Sequence, residues 1–148
     1  MRLGDGQEAF DASCAALRQW QMFNTNWVQL CWPTTRIAPG SVVAVLAHGW
    51  GFWWLNACRI IYVIDESEPV RRFGFAYGTL ADHAECGEER FTIEWDTDDA
   101  VWYDLFAFSR PGHWLVQLGY PLARRMQIRF AHDSLAAMAQ AAGGSGVF

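Results

Sequence analysis

The feature that most constrains this chain is a change of hydrophobic period. Four runs, residues 59–65, 73–79, 88–95 and 101–108, are rich in β-branched and aromatic side chains, and the last two are joined by the polar turn Asp96-Thr97-Asp98-Asp99. Such runs separated by turns of hairpin length read as an antiparallel meander. After Ser109-Arg110-Pro111-Gly112 the period lengthens. Leu115, Leu118, Leu122, Met126 and Phe130 recur every three or four residues, with Arg124, Arg125 and Arg129 largely off that stripe. The spacing predicts a long amphipathic helix. Pro121 is expected to kink it or to begin its second half, because proline lacks an amide donor and disfavours helix at Tyr120.

Upstream, Asp5 and Glu8 have the spacing of a capping pair, and Phe10, Cys14 and Leu17 follow at helical intervals, predicting a first helix over residues 7–21. Two further strands are expected at 26–32 and 41–47, set apart by Pro33-Thr34-Thr35 and Pro39-Gly40. The stretch His48-Gly49-Trp50-Gly51-Phe52-Trp53-Trp54 suits either a short apolar loop or a lid over a cavity. A helix, a central antiparallel sheet and a long final helix define an α+β chain. The favoured layout is the helix-grip, a curved antiparallel sheet wrapped around the C-terminal helix with an internal cavity between them. Residues 1–142 are read as one domain, and 143–148, rich in glycine, as a flexible tail.

Composition excludes several functions. Hydrophobic residues make up 52% of the 148 and charged ones 18%, outside the regime of disorder. The net charge is −5, every basic residue is Arg, and the only adjacent pairs are Arg71-Arg72 and Arg124-Arg125, so a nucleic-acid partner is not expected. No apolar run reaches the roughly 20 residues of a membrane span, and acidic residues stand where a signal peptide is apolar. The expected location is therefore cytoplasmic. Cys14, Cys31, Cys58 and Cys86 lack metal or redox spacing and are read as reduced thiols, so neither metal nor cofactor is expected. The aromatic content of 16% is high, and many large rings leave space that is hard to fill, which motivates the cavity.

The block from Phe73 through Gly78-Thr79-Leu80-Ala81-Asp82-His83 and Gly87-Glu88-Glu89-Arg90-Phe91, preceded by Cys58-Arg59-Ile60-Ile61-Tyr62-Val63 and followed by Ala107-Phe108-Ser109-Arg110-Pro111, resembles the domain-of-unknown-function family nineteen-ninety. The resemblance covers nearly the whole chain, without the N-terminal extension usual in that family. It implies no assigned activity or catalytic residue. Its layout is similar to that of the START and birch-pollen-allergen superfamily, which implies a cavity for lipids, steroids or polyketides.

Phosphate-binding glycine loops and nucleophile elbows are missing from the sequence. What remains are polar groups on apolar strands. If Phe91, Ile93 and Trp95 face inward, period two puts Glu89 with them, and the same logic groups Asp104 with Trp102, Phe106 and Phe108, and Tyr77 with Phe75. A desolvated carboxyl keeps its proton towards neutral pH and can act as a general acid. The candidate catalytic residues are Glu89, Asp104, His83 and Tyr77. The expected ligand walls are Trp50, Trp54, Phe75 and Phe91, with Trp102 and Phe106 from the last strand and Leu118 and Leu122 from the helix. The structural alternative pairs Glu89 with Arg59. Three functions fit: a cofactor-independent cyclase, dehydratase or isomerase acting on a polyketide-like or terpenoid substrate, a non-catalytic carrier of an apolar molecule, and an interaction domain using Trp50, Trp53 and Trp54. The chain is expected to be a monomer or homodimer.

Overall fold

The computed structural model describes residues 1–80, 85–111 and 114–143, with side chains of 85–86 and 109–123 outside the description. The chain runs β1 (Arg2–Asp5), α1 (Gly6–Arg18), a 3-10 turn (Gln21–Phe23), β2 (Val28–Cys31), β3 (Val42–Gly49), β4 (Phe52–Glu66), β5 (Arg71–Thr79), β6 (Glu85–Trp95), β7 (Ala100–Pro111) and α2 (Trp114–Ala141). The strands form one antiparallel sheet in the order β1-β7-β6-β5-β4-β3-β2. It is curved and open, and it packs against α2, as the change of period predicts.

The inner face is made by alternation. On β5, Phe73, Phe75 and Tyr77 point into the core between Gly74, Ala76 and Gly78, and on β6 and β7 Phe91, Ile93, Val101 and Tyr103 continue the same wall. Against it lie Leu17 from α1, Met22 and Phe23 from the 3-10 turn, and Phe130 and Met138 from α2. Phe23 stacks on Phe130 at 5.3 Å and tilts over Phe91 at 5.9 Å, so one ring bridges helix and sheet. Tyr103 closes the opposite side, its hydroxyl 2.9 Å from the buried Ser134 Oγ of α2.

Several boundaries differ from the sequence expectation. Asp5 occupies the N-cap of α1 but makes no capping bond, because its carboxylate is engaged by Arg2. The helix ends at Arg18 rather than 21, where Trp20 turns left-handed (φ 59°). An indole in that conformation is unfavourable in isolation; here the ring is buried and its Nε1 donates to the Thr35 carbonyl at 2.9 Å. β1, formed by the polar opening residues, completes the sheet beside β7. Residues 109–111, expected in a turn, extend β7, and α2 continues through Pro121 as one helix.

The stretch 48–54 is neither loop nor lid. It is the end of the β3–β4 hairpin, with Gly49 opposite Phe52 and positive φ at both Trp50 and Gly51, the signature of a two-residue type I′ turn. Tertiary pairing thus extends β4 to 15 residues, with a bulge between Ile60 and Tyr62 that keeps Ile60 and Val63 on the inner side.

Candidate functional site

Strand pairing brings together the polar groups of the inner wall. Tyr77 on β5 stands opposite Glu89 on β6, and its hydroxyl donates to Glu89 Oε2 in a very short hydrogen bond. Cys58 and Ile60 of β4 lie beyond Tyr77, and Phe91 flanks it at 5.5 Å between ring centres. Glu89 is partly buried as a residue, but loss of hydration raises its carboxyl pKa, opposed by the hydrogen bond from Tyr77. Burial likewise lifts the Tyr77 phenol well above its ordinary value, helped by the nearby Glu89 charge, so the phenol stays a donor. The Cys58 thiol is pushed up to about 12 by burial and by Glu89, which keeps it protonated and unreactive.

The pair has a chemical consequence. When protonated, Glu89 can accept from Tyr77 at its carbonyl oxygen and still has an O–H to donate. Among the described residues no cation pairs with Glu89; the ion pairs lie elsewhere, on the surface. Arg59, the partner considered from sequence, is exposed and stands opposite Gly78 on the outer side.

Other expected site residues lie apart from this pair. Asp104, Trp102 and Phe106 are on the outer face of β7, where Trp102 is 41% and Phe106 52% exposed, while Val101, Tyr103 and Leu105 take the inner one. The sequence reading placed Asp104 among inward rings because the outer face of β7 is itself aromatic, so alternation identified two sets without saying which was inside. Asp104 instead meets Arg90 at 3.5 Å, and Arg90 lies over the Phe106 ring. Trp50 is exposed at the hairpin tip and so lines no interior wall, whereas Trp54 is turned inward and packs against the core. Phe75 and Phe91 are fully buried in that core. His83 falls outside the described residues, as do the side chains of Leu118 and Leu122. Sequence reasoning missed Ser134 and Tyr103, which tie α2 to the sheet; Ser134 sits on the Phe130 and Met138 face of the helix, the one signal that marks it.

Among the described residues no group of three His, Cys, Asp or Glu could hold a metal ion, and no helix is long and apolar enough to cross a membrane.

The raised carboxyl gives a pH signature. Between the ordinary value near 4.5 and the raised folded value, the native state binds a proton that the unfolded chain has released, so this group's contribution to stability falls as pH rises. Glu89→Gln removes that contribution. Urea melts from about pH 5 to about pH 8 should show the variant gaining on the wild-type protein as pH rises, by at most about 1.4 kcal/mol per pH unit. Parallel curves would mean that Glu89 titrates normally.

These features define a helix-grip-like α+β domain: a curved antiparallel sheet, a long C-terminal helix across it, and a carboxyl–phenol pair on the concave wall. The chain belongs to the family described as Domain of unknown function (DUF1990), whose model matches residues 1–137. It is 43% identical to a UPF0548 protein of Dictyostelium discoideum over 97% of this chain and 70% of that one. A UPF0548 protein of Arabidopsis thaliana is 35% identical over 89% of this chain and 65% of its own length, and one of Deinococcus radiodurans 36% over 97% and 76%. No solved structure matches.

Proposed function

We propose that the concave side of the sheet binds a small, largely apolar molecule in a cavity beneath α2, and that Glu89 protonates it in a cofactor-independent cyclisation, dehydration or isomerisation. The observation that supports this reading is the Glu89–Tyr77 pair: a carboxyl with raised pKa and a phenol partner, set among aromatic rings with no cation against it among the described residues. Positioned acids contribute about 10²–10⁴-fold to rate. A carrier without chemistry is the second reading, favoured by the outward position of Asp104, which leaves the inner wall without the second expected carboxyl.

A panel of polyketides, terpenoids and fatty acids titrated against tryptophan fluorescence, with conversion followed by mass spectrometry, tests both. The enzyme reading expects saturable one-to-one binding, with conversion lowered about 10²-fold or more in Glu89→Gln at nearly unchanged affinity. Saturable binding without conversion by the wild-type protein supports the carrier. If no compound binds, both readings fail.

A further inference from the structure

At the β2 edge of the sheet, away from Glu89, an open groove of about 550 Å³ is lined by the segment that joins α1 to β2, by β2 itself, and by Leu46, His48 and Trp53 on the outer side of β3 and β4. Among the described residues, no Asp, Glu or Arg lines it, although the chain carries 16 acidic residues and 11 basic ones. Instead it gathers five carboxamides, Gln19, Gln21, Asn24, Asn26 and Gln29, half of the ten Asn and Gln residues in the whole sequence. None of the five side chains makes a hydrogen bond among the described residues, and four of them are exposed. Trp53 also lines the groove, 62% exposed and with its ring centre 4.5 Å from that of His48 across the β3–β4 pairing.

We propose that this groove is a binding site for a neutral carbohydrate, an oligosaccharide of uncharged hexoses. Each sugar hydroxyl is both donor and acceptor, and a carboxamide offers both functions from one planar group without the desolvation cost of a charge. The apolar face of a pyranose ring needs a flat partner, and Trp53 offers one. The other two indoles of the groove, Trp20 and Trp27, are buried, and the Arg129 guanidinium lies over the Trp27 ring at 4.6 Å, so neither offers a free face. None of the described lining residues is an Asp, Glu or Arg, which disfavours nucleotides, acyl phosphates and peptide termini, all of which need a counter-ion. The openness of the groove suits a chain passing through it rather than an enclosed monosaccharide.

Calorimetric titration of the whole protein with maltohexaose, cellohexaose and mannohexaose tests the site. At least one should bind saturably with a dissociation constant in the range of about 0.1–1 mM. Trp53→Ala should weaken that binding about tenfold or more, and Gln29→Ala severalfold, with the melting temperature held, since both side chains are exposed. Trp102→Ala, on a distant part of the outer face, should leave it unchanged. Failure of all three oligosaccharides to bind, or binding that survives both groove substitutions, overturns the proposal. Neither result bears on Glu89, because the groove lining does not include it.

Discussion

Phe75→Ala should destabilise the fold by about 3–5 kcal/mol, about a fifth or more of the total for a domain of ordinary stability. Phe75 has no exposed surface, and its ring lies 5.0 Å from Trp20 and 5.3 Å from Phe91, between centres. The ring joins α1's terminus to the middle of the sheet, and both neighbours are fixed independently: Trp20 by its bond to Thr35, Phe91 by its ladder with β5 and β7. Such a site cannot collapse to fill the space, which puts the cost in the upper range for this substitution. Urea unfolding should show a lower midpoint at an unchanged slope. Phe106→Ala provides the contrast. Its ring is 52% exposed on the outer face under Arg90, so its loss should cost no more than about 1 kcal/mol. Equal costs would contradict the assignment of inner and outer faces.

That contrast also shows what the sequence could and could not reveal. The meander and the final helix were legible because each rests on a local period: alternation through residues 73–79 and 88–95, and three-to-four spacing from Leu115 to Phe130. The inward placement of Glu89 was legible for the same reason, since it shares a face with Phe91 and Ile93 while the alternate set, Glu88, Arg90, Thr92 and Glu94, is polar, and Tyr77 alternates with the small Gly74, Ala76 and Gly78. β7 was not. Trp102, Phe106 and Phe108 form as apolar a set as Val101, Tyr103 and Leu105, and only the position of α2 decides between them. The hairpin at Trp50-Gly51 was hidden by the rarity of tryptophan at positive φ; the long β3–β4 ladder imposes that conformation where local preference would not. The groove amides carried no periodic signal at all, because they come from a connecting segment and an outward strand position that only the fold brings together.

Among the described glycines, Gly74→Ala should be the most damaging substitution by alanine. A Cβ at Gly74 would sit 2.3 Å from the Phe91 carbonyl oxygen and 3.2 Å from Thr92 Oγ1. The nearer atom is backbone, in the central β5–β6 ladder where Gly74 stands opposite Thr92, so relief requires the strands to part. Replacing glycine in a strand ordinarily stabilises by about 0.5–1 kcal/mol through the unfolded state. Against that stand overpacking at about 1–3 kcal/mol and ladder hydrogen bonds at about 0.5–1.5 kcal/mol each. The clash wins, with a net loss of about 2–4 kcal/mol expected. Gly49→Ala isolates the two effects: its Cβ would meet only the Trp54 ring at 3.5 Å, ordinary contact, and Gly49 has no positive φ. It should therefore be neutral or stabilising by up to about 1 kcal/mol. Thermal melts that place Gly74→Ala at or above the wild-type midpoint would show that β5 and β6 are not held at this separation; a drop shared equally by Gly49→Ala would point to a general intolerance of side chains in strands rather than to the close approach at Phe91.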